Sequence, residues 1–523
     1  MPVCSARLLL RRFAAAATFL LLAFPAAAPL AAQANSNAVF RVNTRIVVLD
    51  VVVKDKKGHI VTGLKKEDFT VLEDKKPQAI RTFETPAAHE MPVATAGKAI
   101  VTSAADLPKI GDAPITLLVL DELNTQFSDM AYARDELKKY LLAQPEVLKQ
   151  PTALLVASNT KFQLLHDYTQ NRADILSALK KHFPEYPWKL AQSGHSGPGA
   201  TERIAQSMAS LLQIAEATRG TPGRKNVIWV GVNAPGVSLV GADEVTIKVM
   251  GDLTRRLTQT LLADRVTLNY INPTANDSST VGVMVPGDDD DSSTMVDYDP
   301  FGSDVDFNQF APATGGQILY SRNDIDNEIS TTVDEGAHYY TLSYSPTNPS
   351  EDAAKFRKIV IKLSNPDLIA VTREGYYPET ANANNAAADT SLPEDQRKHL
   401  LQLDLSQAAL SAMAYNGLAI TVKPSADPRL WMVTIPTKQL SWTPRPDGSS
   451  FAEVTSMTVA FDGKTKILAH ESRELQAERK ANQPATDTVI FQVSVDEPKG
   501  SKRLRFVIRD AVSAKIGTAE VTP

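Results

Sequence analysis

From Ile115 the chain repeats one pattern: short apolar runs with almost no polar residue, separated by longer amphipathic stretches. The apolar runs are "ITLLVLD", "TALLVAS", "NVIWVGV" and "RVTLNYI". Between them stand "MAYARDELKKYLLA", "RADILSALKKH", "TERIAQSMASLLQIAEAT" and "EVTIKVMGDLTRRLTQTLLA", and "FNQFAPATGGQILY" and "NDIDNEISTTV" close the series. A strand with no polar face has to be buried on both sides. Helices between such strands act as right-handed crossovers, so the pattern predicts an α/β fold, a doubly wound and mostly parallel sheet over 112–335. In such sheets the ligand crevice lies beyond the carboxyl ends of the strands, where strand order reverses. Asp121 ends the first apolar run, with Asn124 and Thr125 just behind it.

The flanks read differently. Residues 35–86 hold "RIVVLDVVVKD", a "KKGH" turn signal and "FTVLEDKKPQAIRTFE", which are strand-like. Ala87 to Lys109 shows neither helical nor strand period and reads as a linker. Residues 336–378 return to strands with "HYYTLSYSP", "FRKIVIKLS" and "LIAVTREGYY". A segment as short as 35–86 buries little surface alone, so the two β segments are expected to pack together. The polar stretch 379–397 reads as a flexible tether. Residues 398–523 alternate short strands with Gly, Pro and Asp turns, which predicts a C-terminal β-sandwich.

The first 34 residues have the form of an export leader. Arg7, Arg11 and Arg12 precede an apolar stretch from Phe13 to Phe24, and Ala32-Gln33-Ala34 offers small residues for cleavage. The apolar stretch is shorter than the ~20 residues a membrane span needs, and no later run is longer. Export to the periplasm, the medium or the cell surface is the expectation. The single cysteine, Cys4, lies before the apolar stretch, so the exported chain would rest on its cores without disulfides. A net charge of -5 over 523 residues indicates neither a nucleic-acid surface nor a polybasic membrane patch.

A strand ending in Asp with hydroxyls close behind, opening a doubly wound sheet, resembles a von Willebrand factor A domain. The order of pieces from Val39 to Tyr377 resembles a narrower group, the exported A-domain-related proteins of acidobacterial type. The pieces that carry it are "VVVKDKKGHIVTGLKKEDFTVLEDKKPQAIRTFE", "LLVLDELNT", "GRKNVIWVG", "ATGGQILY", and "HYYTLSYSP" through "REGYY". The resemblance implies a metal-ion-dependent adhesion site of the form D-x-S-x-S, completed by a Thr and an Asp from two later loops. Oxygen ligands of that kind suit Mg²⁺. Asp121 matches the Asp, Leu123 stands where the first Ser would be, Thr125 replaces the second, and Thr201 is the loop threonine. Gly231, Val232 and Asn233 stand where the last Asp would follow its strand, so the site is degenerate and Mg²⁺ binding is expected to be weak or absent. Read without the family, Thr201 fits a helix N-cap, and Asp121, Asn124 and Thr125 fit a turn that satisfies its own backbone.

Other motifs carry less. The acidic insert "PGDDDDSSTMVDYDPFGSD", Pro286 to Asp304, lacks the alternate spacing of a calcium loop and reads as a solvated loop. "SGHSGPG" fails the nucleophile-elbow pattern because Pro198 holds the last glycine position. The eight histidines are dispersed; His166 reads as ending a strand and His338 as beginning one. The function these observations favour is non-enzymatic recognition of a protein partner. Asp121, Asn124, Thr125, Thr201 and Asn233 would form the contact face. A structural scaffold of an envelope complex is the alternative, and a hydrolase a more distant one.

Overall fold

The structure, a computed structural model, describes residues 46–93, 99–193, 198–232, 236–238, 244–274, 304–320, 324–347, 355–378, 385–388, 392–427, 429–463, 466–481 and 486–523. The leader, Asn233 and nearly all of the acidic insert lie outside the described residues. Strands β1 (Val47–Asp55), β2 (Phe69–Glu73), β3 (Lys76–Gln78) and β4 (Ile80–Glu84) come first. The region called a linker above is packed structure from residue 100 onward. Gln170 Oε1 accepts from the Ile100 and Val101 backbone amides, and Val101, Leu107 and Ile110 are buried. Their apolar residues are too few and too irregularly spaced to show a period, and tertiary burial together with the Gln170 and Asp167 hydrogen bonds orders them.

The central region runs β5 (Ile115–Asp121), α1 (Phe127–Ala143), β6 (Val147–Ala157), β7 (Phe162–Asn171), α2 (Arg172–Lys181), α3 (Trp188–Ser193) and α4 (Pro198–Thr218). It continues with β8 (Lys225–Val230), β9 (Val237–Ser238), α5 (Glu244–Ala263), β10 (Val266–Ile271), β11 (Asp304–Val305), α6 (Phe310–Ala313), β12 (Ile318–Leu319) and α7 (Ile325–Ala337). Six of these strands form one sheet in the order β12-β10-β8-β5-β6-β7, parallel except for the β6–β7 pair. Alternate residues of β5 explain the double cover. Leu117 and Val119 pack with Ile204, Met208 and Leu211 of α4 and with Leu257 of α5, whereas Leu118 and Leu120 pack with α1, α2 and α7. The chain passes from β5 outward to β6 and β7, then returns to β8 on β5's other side. Strand order therefore reverses between β5 and β8, beside Asp121.

After α7 come β13 (Tyr340–Tyr344), β14 (Arg357–Leu363), β15 (Leu368–Val371) and β16 (Gly375–Tyr376). These complete two sheets begun before the central region, β15-β1-β13-β4 and β16-β14-β2-β3. Leu49 faces Leu342 and Val71 faces Ile361 across the pairs. Glu73 locks them from inside: it accepts from Arg357 Nη1 at 2.7 Å, Tyr344 Oη at 2.7 Å and Tyr376 Oη at 3.0 Å.

The next element is a helix, α8 (Glu394–Leu410), where the sequence was read as tether and strands. It precedes β17 (Thr421–Pro424), β18 (Leu430–Pro436), β19 (Thr443–Pro444), β20 (Ser450–Phe461), β21 (Ile467–Arg479), β22 (Thr488–Ser494), β23 (Arg503–Asp510) and β24 (Ile516–Val521). Sheet β17-β18-β22 shares a core with the sheet of β19, β20, β21, β23 and β24 through Val433, Ile435 and Phe491 on one side and Val454, Leu504 and Phe506 on the other. Part of the supposed tether is pinned. Asn385 is buried, donates to the Ala511 and Val512 carbonyls, and accepts from Arg509. Leu405 and Ala408 of α8 join the same core as α4 and α5, so the C-terminal sheets are fused to the central region. No helix among the described residues is long and apolar enough to cross a membrane.

Candidate functional site

The turn after β5 brings Asp121, Asn124 and Thr125 together, and all three are buried at 1% exposure. Asp121 Oδ1 accepts from the Leu123 amide at 3.1 Å and the Asn124 amide at 3.0 Å. Its Oδ2 accepts from Trp229 Nε1 at 3.0 Å and from Asn124 Nδ2 at 3.0 Å. Burial pushes the carboxyl up to about 6, against the pull of the Asn124 and Trp229 hydrogen bonds. Thr125 Oγ1 accepts from the Val232 amide at 2.8 Å, tying the β5 turn to the β8 turn. Gly231 is required there because a Cβ would stand 2.5 Å from Asp121 Cβ and 2.7 Å from Thr125 Oγ1.

Helix α4 supplies the rest. Asn124 Nδ2 donates to Ser207 Oγ at 3.1 Å, and Arg203 Nε donates to Asn124 Oδ1 at 3.2 Å. Arg203 is fully buried, and Nη1 also donates to the Gly199 and Lys189 carbonyls. Burial pulls its pKa below the ordinary guanidinium value and the Asp121 carboxylate pulls it back. The arrangement is a closed chain, Trp229–Asp121–Asn124–Arg203, in which an internal cation faces the internal anion. Thr201 is apart from it, exposed on α4 two residues before Arg203. It is the fourth residue of that helix and so does not cap it.

Sequence reasoning missed Arg203, Ser207 and Trp229. A signal existed, since Arg203, Ser207 and Ser210 recur at helical spacing inside the apolar stripe of Ile204, Met208 and Leu211. A second buried acid was also missed. Glu122 meets His182 Nε2 at 2.7 Å and accepts from the Glu185 amide at 3.0 Å, which fixes the strap after α2. His166 lies inside β7 and His338 caps the end of α7, so neither occupies the strand terminus assigned to it above. Both turn a ring nitrogen to a local carbonyl.

The residues fit Mg²⁺ poorly. That ion asks for near-octahedral oxygen ligands with free lone pairs, and both Asp121 oxygens already accept from protein N–H groups while a buried guanidinium stands nearby. Among the described residues no group of three or more His, Cys, Asp and Glu side chains is placed to hold a metal.

No family model matches the chain, and no curated protein does. Among solved structures, the VWA domain of SpRpn10 is similar at 12% identity, over 31% of this chain and 90% of that one, with a TM-score of 0.18. A superoxide reductase from Nanoarchaeum equitans is similar at 14% identity, over 20% of this chain and 90% of that one, with a TM-score of 0.13. An endonuclease/exonuclease/phosphatase from Beutenbergia cavernae DSM 12333 is similar at 13% identity, over 37% of this chain and 39% of that one, with a TM-score of 0.11. These are weak neighbours, and what stands without them is a mixed α/β chain with a six-stranded, mostly parallel sheet and several antiparallel sheets.

Proposed function

We propose that this chain is an exported, non-enzymatic binding protein built on a von Willebrand factor A-like sheet, recognising a protein partner through the carboxyl-end face of that sheet without a tightly held metal. One observation carries the reading: the polar groups at the strand reversal are closed on one another. Asp121 accepts from Asn124 and Trp229, and Arg203 donates to Asn124, all of them buried. A carboxylate held this way sets loop geometry and does not meet a substrate. Asp121, Asn124 and Thr125 then act as positioning residues. Contact falls to exposed side chains at the same end of the sheet, Thr201 of α4 among them, and to Asn233, which follows the β8 segment in the sequence. Loops held on a rigid scaffold commonly carry recognition.

The test is site-specific photo-crosslinking in envelope extracts. A crosslinker at Thr201, on the carboxyl-end face, should capture a discrete protein, whereas one at Leu142, exposed at the other end of α1, should not. Equal capture from both positions, or turnover of a captured small molecule, overturns the reading.

A further inference from the structure

The strap between α2 and α3 reads "KKHFPEYPWK", Lys180 to Lys189, and its exposure is unusual. Phe183 is 86% exposed, Tyr186 64% and Trp188 43%. Large apolar side chains left singly on a surface are ordinary; three aromatics within six residues form a patch. The backbone beneath them is held firmly. Glu122 accepts from the Glu185 amide, Asn159 Nδ2 donates to the Tyr186 carbonyl at 2.9 Å, and Asn159 Oδ1 accepts from the Lys189 amide at 3.1 Å. Arg134 Nη2 donates to the His182 carbonyl at 2.9 Å. Pro184 and Pro187 fix two further φ angles. The fold thus uses side chains from the turn after β5, from α1 and from the β6–β7 turn to hold the strap that carries the exposed rings.

Lysines flank the strap, and Lys189, paired with Glu202, lies 5.7 Å from the Trp188 ring centroid. Lys180 and Lys181 end α2 immediately before the strap, and Lys161 lies in the β6–β7 turn that holds it. All three are exposed, and none forms an ion pair with a described residue. Glu185 is the acid within the strap, and Thr160 Oγ1 donates to it at 3.1 Å. The local balance is positive on a chain whose net charge is -5.

We propose that this ridge is a docking surface for an anionic phospholipid bilayer. Trp and Tyr settle at the headgroup level, where a ring meets hydrocarbon and its polar end meets water. Lysines beside them attract anionic lipid and keep their ammonium groups in the aqueous layer. Projecting rings suit a fluid medium that closes around each one, and a preorganised backbone loses little freedom on insertion. The inference is independent of the partner proposed above: the ridge stands at the same end of the sheet, but its ligand is a lipid surface.

The test uses the full chain with Cys4→Ser, carrying an environment-sensitive dye at Phe183→Cys or, as control, at Leu142→Cys. Vesicles are phosphatidylcholine alone or mixed with phosphatidylglycerol. The dye at 183 should shift to the blue and be quenched by brominated lipid on the anionic vesicles only, and salt should reverse it. The dye at 142 should stay silent. Lys180→Ala with Lys181→Ala should weaken the response roughly 25-fold, about fivefold for each lysine, with an unchanged melting temperature. A silent dye at 183 on a folded chain overturns the proposal. So does an equal response on both vesicle types, or a response to a proline-rich peptide in place of lipid.

Discussion

Trp229 donates its indole N–H to Asp121 across the β5–β8 pair, 3.0 Å between two fully buried side chains, at the place where strand order reverses. The carboxylate that opens the candidate site is therefore part of the core. Asp121→Ala would strand the Trp229 and Asn124 donors and leave Arg203 without its nearby anion. A buried donor left unsatisfied costs about 1–3 kcal/mol, and a loss of that order is expected in urea denaturation. Asp121→Asn, which keeps the shape, should lose less. An alanine variant as stable as the parent would place the carboxylate outside the core's energetics.

Asp121 also sets a pH dependence. The unfolded group titrates at 3.8 and the folded one at about 6, because burial disfavours its charge. Between those values the fold retains a proton that the unfolded chain has released. Stability should then fall as pH rises from about 4 to about 6, by about 3 kcal/mol at 1.36 kcal/mol per pKa unit. Burial raises Glu216 to about 7 in the same direction. Asp121→Asn should make the fall between about pH 4 and 6 shallower and leave the Glu216 fall, which runs from 4.5 to about 7, as read from denaturation midpoints between about pH 4 and 7.

Much of this architecture was legible. β5, β6, β8 and β10 were written as apolar runs because both faces of each are covered. Helix α8 was not legible, since only Leu405, Ala408 and Ala409 bury and most of its leucines stay partly exposed. The site was half legible. Asp121, Asn124 and Thr125 are adjacent in sequence, but what they touch comes from α4 and β8, and no local pattern says that an arginine 79 residues away will face Asn124. The expectation that Asn124 and Thr125 are surface residues gives way to their burial.

The loop junction yields a sharper substitution. Gly231→Ala would push a methyl into Asp121 Cβ and Thr125 Oγ1. Overpacking a filled site costs about 1–3 kcal/mol, and the melting temperature should fall accordingly. Thr125→Val, similar in shape, removes only the acceptor of the Val232 amide, and should cost about 0.5–1.5 kcal/mol as one lost hydrogen bond at a partly buried donor.

Beside the shared apolar core, Asp404 ties the C-terminal sheets to the central region: it meets Arg256 of α5 at 2.8 Å and Arg509 of β23 at 3.2 Å. Asp404→Ala leaves Arg509 buried with Asn385 as its remaining side-chain acceptor in that network. The expected result is a loss of about 3–5 kcal/mol together with faster proteolytic cutting between the central and C-terminal regions. Cutting at the parental rate would show that the apolar contacts of Leu405 and Ala408 hold the junction alone.

Metal dependence is the last expectation, and Arg203 decides it. A ligand that binds only the folded chain raises its stability in proportion to the logarithm of concentration over Kd. With both Asp121 oxygens accepting from N–H donors and Arg203 buried beside them, millimolar Mg²⁺ should leave the wild-type melting curve unmoved. Introducing oxygen ligands by Leu123→Ser with Val232→Asp should not suffice, because the guanidinium still repels a second cation from the same space. Adding Arg203→Ala to that pair removes the repulsion, and Mg²⁺ should then raise the melting temperature and give measurable heat in calorimetry. A wild-type chain that binds Mg²⁺ tightly, and loses it with Asp121→Ala, would mean that the Asp121 hydrogen bonds yield to the ion and that the internal cation does not exclude it.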